Sequence, residues 1–198
     1  MSRVTDRVHA ACTAQYSVNS SLGPVLLART AKGLAGAWFE GQKHHPGVLA
    51  APVRPNDPLL EIAAAQLQRY FTGKAAAFDL PLDLLGTAFQ QAVWQALLAI
   101  PPGSTRSYGD IARSMAAASA VRAVGGAVGR NPVSVIVPCH RVVGSDGSLT
   151  GYAGGTDRKL ALLKLEGALV ENRAVQHRAE DGAWRPNWSF AERSWWLT

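Results

Sequence analysis

The sequence predicts an α/β N-terminal domain with a small antiparallel sheet, followed by an all-α C-terminal domain. Two patterns indicate this order. Short β-capable runs separated by turn residues fill the first part of the chain, and capped helical segments fill the second. A length of 198 residues suffices for one large domain or two small ones. We place the N-terminal domain at 1–85, the C-terminal domain at 86–168 and a tryptophan-rich extension at 169–198.

The N-terminal sheet is predicted from three short runs of strand-forming residues, at 16–18, 25–28 and 34–39. The first two runs are separated by Ser-Ser-Leu-Gly-Pro and the next two by Thr-Ala-Lys-Gly, and both connections are rich in turn formers. Because short turns join neighbouring strands, we expect an antiparallel meander.

A helix is predicted after a Pro- and Gly-rich loop at 41–57. Asp57 suits the N-cap, and Pro58 suits the first helical position because the missing N–H has no intrahelical partner there. Gly73 marks the end. The expected inward face of this helix contains Leu59, Ile62, Ala63, Gln66, Leu67 and Tyr70.

Two capping-box patterns mark helix starts in the second half. Thr87 with Gln90, and Ser107 with Asp110, pair a hydroxyl with a side-chain acceptor three residues later. Ser119 is the predicted cap of a third, slender helix. The last two of these helices, joined by a tight turn, indicate a winged helix-turn-helix-like domain. The three valines expected to face inward on the slender helix are Val121, Val124 and Val128.

The chain beyond this helix pair contains two further predicted elements. Residues 133–137 are mostly β-branched and bounded by prolines, which predicts a short buried extended segment. Thr156 is the predicted cap of a last helix at 157–166, which Gly167 ends.

Composition restricts the class of protein. Hydrophobic residues make up 47% of the chain and charged residues 17%, which excludes a disordered or fibrous protein. No apolar run approaches the ~18 residues of a membrane span, and the polar start lacks the apolar stretch of a secretory signal. Two cysteines exclude a disulfide-stapled secreted fold, so we expect a cytoplasmic protein with no membrane partner.

The net charge of +6 is concentrated in one region. Between 106 and 141, Asp110 is the single acid. A basic stripe of this kind suits a polyanion, although an excess of this size also occurs on ordinary soluble proteins. The five arginines of the region are Arg106, Arg113, Arg122, Arg130 and Arg141.

Cys139 is the candidate nucleophile. A lone cysteine is most often a buried structural thiol. Here His140 and Arg141 follow directly, cationic neighbours lower a thiol pKa toward neutrality, and a thiolate beside an imidazole is an activated nucleophile. Adjacent side chains on an extended chain point to opposite faces, so the residues alone leave both interpretations open.

Glu166 lies where a carboxylate is disfavoured. In the last turn of a helix, its negative charge interacts unfavourably with the macrodipole, at a cost of ~0.3–1 kcal/mol. Either a solvated glutamate tolerates this cost, or the carboxylate is held inward to orient a histidine, as in nucleophile–base–acid triads.

Five sequence blocks together resemble the O6-alkylguanine-DNA alkyltransferases, the methylated-DNA–protein-cysteine methyltransferases. The resemblance is strong over about 86–168 and only in outline over 14–80. The blocks, in the order and spacing of that family, are Ser107-Tyr-Gly-Asp-Ile-Ala112, Arg122-Ala-Val-Gly-Gly-Ala127, Asn131-Pro-Val-Ser-Val-Ile-Val-Pro-Cys-His-Arg-Val-Val143, Gly151-Tyr-Ala-Gly-Gly155 and Leu162-Leu-Lys-Leu-Glu-Gly167.

This resemblance implies direct reversal of DNA damage. An alkyl group moves from O6 of guanine in double-stranded DNA to a cysteine, once per protein molecule and without a cofactor. O4 of thymine stays open as a second target. Because the target atom is inaccessible inside a duplex, the nucleotide has to be flipped out. We also expect a monomer with no obligate protein partner.

The resemblance implies a role for each site residue. Cys139 is the nucleophile, His140 takes its proton through a bridging water, and Glu166 orients the imidazole. Asn131 braces the turn that carries the cysteine. Tyr108 donates to N3 of guanine so that the base leaves closer to neutral, although by itself a tyrosine there also fits a packing role. The guanine pocket is implied to consist of the carbonyls of Cys139 and Val142, with Tyr152 and Ala153 near O6.

A DNA-binding surface is implied around the slender helix, which the family places in the minor groove. Arg122 resembles the arginine that enters the vacated base stack, although alone it fits a solvated surface charge equally well. Small side chains allow the helix to approach the groove closely. The implied DNA-binding residues are Arg106, Arg122, Ala123, Gly125, Gly126, Arg130 and Arg141.

Some relatives bind a structural zinc in the N-terminal half. The available ligands here include one cysteine and no Cys-x-x-Cys spacing, so we expect no metal and a free thiol at Cys12. Those ligands are His9, Cys12, His44 and His45. The sequence assigns no role to the extension, which contains Trp184, Trp188, Trp195 and Trp196.

Two other functions stay open from the residues. One is a winged-helix DNA-binding regulator in which Cys139 is inert or a sensor. The other is a cysteine hydrolase with a Cys139–His140–Glu166 triad, which predicts turnover beyond one equivalent of protein.

Overall fold

A three-stranded antiparallel sheet forms the centre of the N-terminal half. In the computed structural model, which describes residues 4–74 and 77–168, strands β1 (Ala14–Val18), β2 (Val25–Arg29) and β3 (Leu34–Phe39) pair in chain order. Leu27 lies opposite Tyr16 on one side and Ala37 on the other. The predicted meander is confirmed.

Helix α1 (Val4–Ala11), which the sequence did not predict, covers one side of this sheet. It buries Val8 in a small core cluster that also contains Ala28 and Trp38. The indole of Trp38 lies directly beside Gly36, the second residue before it on β3.

Helix α2 (Pro58–Phe71) begins where the sequence predicts. The Asp57 carboxylate accepts hydrogen bonds from the N–H groups of Leu59 and Leu60, and Pro58 occupies the first turn. The predicted inward position of Ile62 is wrong, because this side chain is half exposed. The buried residues of α2 are Leu60, Ala63, Leu67, Tyr70 and Phe71.

The C-terminal half is built on α3 (Ala88–Leu98), α4 (Tyr108–Ser114) and α5 (Val121–Val128). Both predicted capping boxes, at Thr87 and at Ser107, are confirmed as reciprocal hydrogen bonds. A short parallel pairing of β4 (Arg106–Ser107) with β5 (Val142–Val143) was not predicted. It fixes the start of α4 next to the segment that follows Cys139.

Helix α5 starts differently from the prediction. Ser119 lies within a 3-10 turn at 118–120, and the residue that caps α5, Ala120, makes no side-chain capping bond. Val124 and Val128 are buried as predicted, whereas Val121 is exposed because it stands in the first turn, at the outer end of the helix.

Residues 133–137 form a buried turn, so the predicted extended segment is wrong. The N–H of Val137 donates to the carbonyl of Val133 at 2.9 Å, and Val135 has a φ of 72°. A β-branched residue rarely adopts this left-handed conformation, so surrounding contacts must hold it there. The turn leads through Pro138 into a 3-10 turn at Cys139–Arg141.

Helix α6 (Thr156–Leu165) closes the described chain. Its N-cap is Gly155, with a φ of 91° and no side-chain bond, so the predicted capping role of Thr156 is wrong. The predicted end of this helix at Gly167 is confirmed. Gly167 has a φ of 69°, a left-handed conformation that glycine adopts without strain.

Both halves share one hydrophobic core, which contains residues of β1, β2 and β3 and of helices α2 to α6. Backbone bonds continue across the junction: the N–H of Ala37 donates to the carbonyl of Pro132, and the N–H of Ser134 donates to the carbonyl of Ala37. The edge of the N-terminal sheet therefore supports the turn that precedes Cys139.

The predicted fold class is confirmed, with a small antiparallel sheet in the N-terminal half and a helical C-terminal half. None of the helices described for this chain has the length and hydropathy to cross a lipid bilayer. The extension at 169–198 lies outside the described residues.

We expect Gly36→Ala to destabilise the protein, because a Cβ at Gly36 would lie 1.7 Å from the ring of Trp38. Displacing this indole from the core should lower the free energy of unfolding by about 1–3 kcal/mol, the usual range for overpacking. Urea denaturation measures the change. Gly129→Ala is the control, since its Cβ would meet the nearest atom at 3.4 Å, and equal losses in the two variants would contradict the packing argument.

Candidate active site

Cys139 begins a tight turn that one amide side chain holds. The residue is 4% exposed, and its Sγ accepts a hydrogen bond from Nδ2 of Asn131 at 3.1 Å. The same Nδ2 donates to the carbonyl of Val137 at 2.8 Å, while Oδ1 accepts from the N–H of Val133 at 2.9 Å. The predicted contact of Asn131 with this turn is confirmed. It fixes the sulfur relative to the end of α5.

His140 and Glu166 are in contact, as the sequence analysis expected for an inward-facing carboxylate. Nε2 of His140 lies 2.9 Å from Oε1 of Glu166, and the two side chains are 0% and 1% exposed. Nδ1 of His140 is buried and has no hydrogen-bond partner within the described residues. The imidazole beside Cys139 therefore has one nitrogen engaged and one available.

Arg141 and Tyr70 also bind this carboxylate. Arg141 contacts both oxygens of Glu166, from Nε to Oε2 and from Nη2 to Oε1, each at 2.8 Å. Its Nη1 donates to the carbonyl of Ile100. The predicted role of Arg141 in DNA binding is therefore wrong: the side chain is buried, and its guanidinium is engaged inside the protein. The Tyr70 hydroxyl donates to Oε1 at 2.7 Å.

This network keeps Glu166 ionised and His140 neutral. Burial pushes the pKa of Glu166 upward, but hydrogen bonds from His140, Arg141 and Tyr70 outweigh it and hold the pKa at about 2. Burial lowers the pKa of His140, against the opposing effect of Glu166. An ionised carboxylate only accepts, so Nε2 carries the imidazole proton and Nδ1 presents a lone pair.

Burial raises the pKa of the Cys139 thiol, while the hydrogen bond from Asn131 and the charge of Lys159 lower it by less. The expectation that cationic neighbours lower this pKa is wrong for the free protein. His140 is neutral, and the charge of Arg141 is paired with Glu166. The sulfur is therefore protonated at neutral pH, and a base has to remove the proton when the sulfur reacts.

Lys159 is a fully buried lysine close to the sulfur. Its Nζ donates to the carbonyls of Val142 at 2.5 Å and Thr150 at 2.8 Å, so it joins β5 to the loop that precedes α6. Burial lowers the pKa of Lys159 to about 8, and Cys139 opposes this shift.

Tyr108 and Tyr152, in the loop at 150–155, lie within electrostatic reach of the sulfur. The Tyr108 hydroxyl donates to the carbonyl of Thr150 at 3.1 Å, and burial followed by the charge of Cys139 raises its pKa. Gly151 permits this approach, since a Cβ there would lie 2.5 Å from the hydroxyl. Tyr152 is buried within electrostatic reach of Cys139, and Ala153 accepts a backbone bond from Lys43.

Most of the residues predicted to bind DNA lie on or directly after α5, whereas Arg106 lies on β4 and Arg141 is buried. Arg122 and Ala123 are exposed, and Gly125 and Gly126 are half-buried. At Gly125, a Cβ would meet the ring of Tyr108 at 3.8 Å, so this helix runs directly behind the site. The other two arginines, both exposed, donate to backbone carbonyls: Arg106 to Thr105 and Arg130 to Gly126.

Sequence reasoning missed two residues of this site, Tyr70 and Lys159. The sequence places Tyr70 on the apolar face of α2, but its phenol carries a hydroxyl that needs a hydrogen-bond partner when buried, and this is an available signal. Lys159 gives no such signal, because a lysine in a helix ordinarily extends into solvent.

The four residues that could have supplied zinc ligands in the N-terminal half have other partners or are separate from one another. Nε2 of His9 contacts the carbonyl of Pro46 at 2.8 Å, and Nδ1 of His45 accepts from the N–H of Gly47. Burial and Asp83 raise the pKa of Cys12 to about 11. Across 4–74 and 77–168, no three His, Cys, Asp or Glu side chains are grouped to hold a metal ion.

Two family models match consecutive parts of the chain. The 6-O-methylguanine DNA methyltransferase ribonuclease-like domain matches residues 15–84, and the DNA binding domain of the same family matches 88–168. A methylated-DNA–protein-cysteine methyltransferase of Mycobacterium leprae (strain TN) is 48% identical over 150 residues, which are 76% of this chain and 90% of the relative. The corresponding protein of Methanosarcina barkeri is 50% identical over 149 residues, or 75% and 94% of the two chains.

A solved structure is similar as well. The crystal structure of Mycobacterium tuberculosis OGT in complex with DNA superimposes with a TM-score of 0.72 at 46% identity, covering 78% of this chain and 93% of that one. The folds agree, and the sequence agreement extends through both halves. The chain therefore belongs to the 6-O-methylguanine DNA methyltransferase family, the methylated-DNA–protein-cysteine methyltransferases, which repair DNA by transferring an alkyl group to a cysteine.

Proposed function

We propose that Cys139 is the alkyl acceptor in a single-turnover reversal of DNA damage at O6 of guanine. The observation that carries this assignment is the turn in which Asn131 holds the sulfur at 3.1 Å and the next residue is a buried histidine bonded to Glu166 at 2.9 Å. This arrangement supplies a fixed nucleophile and a neutral base whose second nitrogen is available.

The alkyl group and the proton move in opposite directions. As the Cys139 Sγ–carbon bond forms, the bond between that carbon and O6 breaks, and the thiol proton passes through a bridging water to Nδ1 of His140. Glu166 stabilises the resulting imidazolium at Nε2. The sulfur ends as a thioether, and the electron pair of the broken bond stays on the departing guanine.

Tyr108 stabilises that departing base by donating to N3 of guanine, where negative charge develops. Its hydroxyl, which donates to the carbonyl of Thr150, exchanges this partner for the base. The carbonyls of Cys139 and Val142 accept the exocyclic amine, and Tyr152 and Ala153 border O6. Because Cys139 is buried, we expect the hydrogen bond between Tyr108 and Thr150 to open when a base enters.

Double-stranded DNA containing O6-alkylguanine is the proposed substrate and partner. The similar Mycobacterium tuberculosis protein was crystallised with DNA, and α5 here exposes Arg122 and Ala123 beside half-buried glycines. We assign Arg122 to the gap that the flipped nucleotide leaves. Small side chains at Ala123, Gly125 and Gly126 permit close approach to the minor groove, and Arg106 and Arg130 bind phosphates. Duplex DNA containing O4-alkylthymine is the second substrate to test for alkyl transfer.

We further propose a cytoplasmic monomer that works without a cofactor. Both cysteines are free thiols, which suits a reducing compartment, and every side chain of the mechanism comes from one chain. The domains are assigned as 1–85, 86–168 and the extension 169–198. Sedimentation of the protein with and without duplex measures the number of chains in the complex.

Cys139→Ala is expected to abolish alkyl transfer and to leave DNA affinity unchanged, because only the nucleophile is removed. Mass spectrometry after incubation with duplex containing O6-methylguanine should show one added methyl group on the wild-type peptide that contains residue 139. Cys12→Ala is the matched control and should transfer fully. A methyl group on another residue would contradict the assignment, and product beyond one equivalent would favour a hydrolase.

Arg122→Ala is expected to slow repair in duplex DNA at least ~10-fold, because extruding a base costs a few kcal/mol that the inserted side chain offsets. Reaction with free O6-benzylguanine, which needs no extrusion, should be almost unchanged. Arg69→Ala removes the same charge from α2 and serves as the control. Equal losses on the duplex and on the free base would rule out a role in flipping.

A further inference from the structure

We propose that Tyr70 is a positioning residue for the reaction: its hydroxyl shares the Glu166 carboxylate with His140 and thereby sets how strongly that carboxylate holds the imidazolium. The N-terminal half then takes part in the chemistry through α2, besides supporting the fold. This inference rests on the proposed function, since it takes His140 as the base for Cys139.

The contacts of the Tyr70 hydroxyl carry the first step. Tyr70 lies in the last turn of α2 and is almost fully buried. Its Oη donates to Oε1 of Glu166 at 2.7 Å and lies 3.5 Å from Nε2 of His140. The phenol is therefore next to both His140 and Glu166, and it donates to the same carboxylate oxygen as the imidazole.

The position of the ring is fixed by packing. The ring of Phe71 meets it edge-on at 5.5 Å between centroids, and the ring of Phe78 lies tilted at 5.4 Å. A buried ring in such contacts has one available orientation. The hydroxyl is thus delivered to Glu166 without an ordering step during the reaction.

Tyr70 is a permanent donor. Burial raises the pKa of its phenol far above the usual range, and the neighbouring charge of Glu166 raises it further. The hydroxyl therefore stays protonated wherever the protein is folded. Because this donor does not titrate, its effect on the basicity of the Glu166 carboxylate is the same at every pH.

Tyr70 affects His140 through Oε1 of Glu166. This oxygen accepts hydrogen bonds from Tyr70 at 2.7 Å, from Arg141 at 2.8 Å and from His140 at 2.9 Å. Donors that share one oxygen compete for its charge. Without the phenol, more negative charge is available to the imidazolium, so the pKa of His140 rises. The charged groups that act on His140 are Lys159 on α6, Glu166 directly after α6 and Arg141 in the same turn as His140.

Tyr70→Phe tests this directly, because it removes the hydroxyl and retains the packed ring. Single-turnover methyl transfer is measured against pH in the full chain. The midpoint of the acidic limb, where His140 becomes protonated, should move up by about one pH unit, with unchanged DNA affinity. Tyr16→Phe, which removes a phenol hydroxyl on β1, is the matched control and should leave the midpoint in place.

The outcomes separate this inference from the function on which it rests. A wild-type protein that gains no methyl group refutes the proposed function. A wild-type protein that transfers normally, together with a Tyr70→Phe profile of unchanged midpoint, refutes the role of Tyr70 alone. A merely structural role would lower the rate equally at every pH.

A second substitution covers the case in which Tyr70→Phe does not fold. Site-specific 3,5-difluorotyrosine at position 70 keeps the hydroxyl and makes it a stronger donor, so the midpoint should move down. The nitrogen-15 shifts of the His140 ring follow its protonation independently of activity. No movement of either quantity would overturn the proposal.

Discussion

The carboxylate of Glu166 is an ionised group placed away from water, and the surrounding structure is arranged to satisfy it. An unpaired charge in such a place is strongly destabilising, so its donors have to be present whenever the protein is folded. They come from Tyr70 on α2 and from His140 and Arg141 on the turn that begins at Cys139. One side chain thus joins three separate parts of the chain.

The position of this carboxylate at the end of α6 also has an electrostatic explanation. A negative charge there is disfavoured by the helix dipole. The bidentate contact with the buried Arg141 places a positive charge against it. The same pairing leaves Lys159 as the cation that acts on the sulfur, although burial outweighs its effect.

Local patterns predicted the elements that depend on local interactions. The capping boxes at Thr87 and Ser107 were readable because the bonds join residues three apart. The turn at 133–137 was not, since its β-branched residues favour an extended chain, and a tertiary contact with Ala37 together with local side-chain bonds of Asn131 overrides that preference. Conformation at such positions depends in part on neighbours that are distant in sequence.

In the site, too, some features could be predicted from the sequence and others depend on the folded chain. The resemblance to a family brought Asn131, Cys139, His140 and Glu166 together, and the structure places these side chains in contact in two pairs. The burial of Arg141 could not be read from sequence, because an arginine in a basic stretch fits a surface charge. The raised pKa of Cys139 likewise depends on how much water reaches the sulfur, which is a property of the folded chain.

The burial of that sulfur has a consequence for selectivity. Under the proposed function Cys139 reacts once, so each reaction of this thiol with an oxidant or a soluble alkylating agent inactivates one protein molecule. Such reagents attack exposed thiolates first. A sulfur that is protonated and almost fully buried is a poor target for them. Under the proposed function, burial thus preserves the thiol for reaction with a bound base.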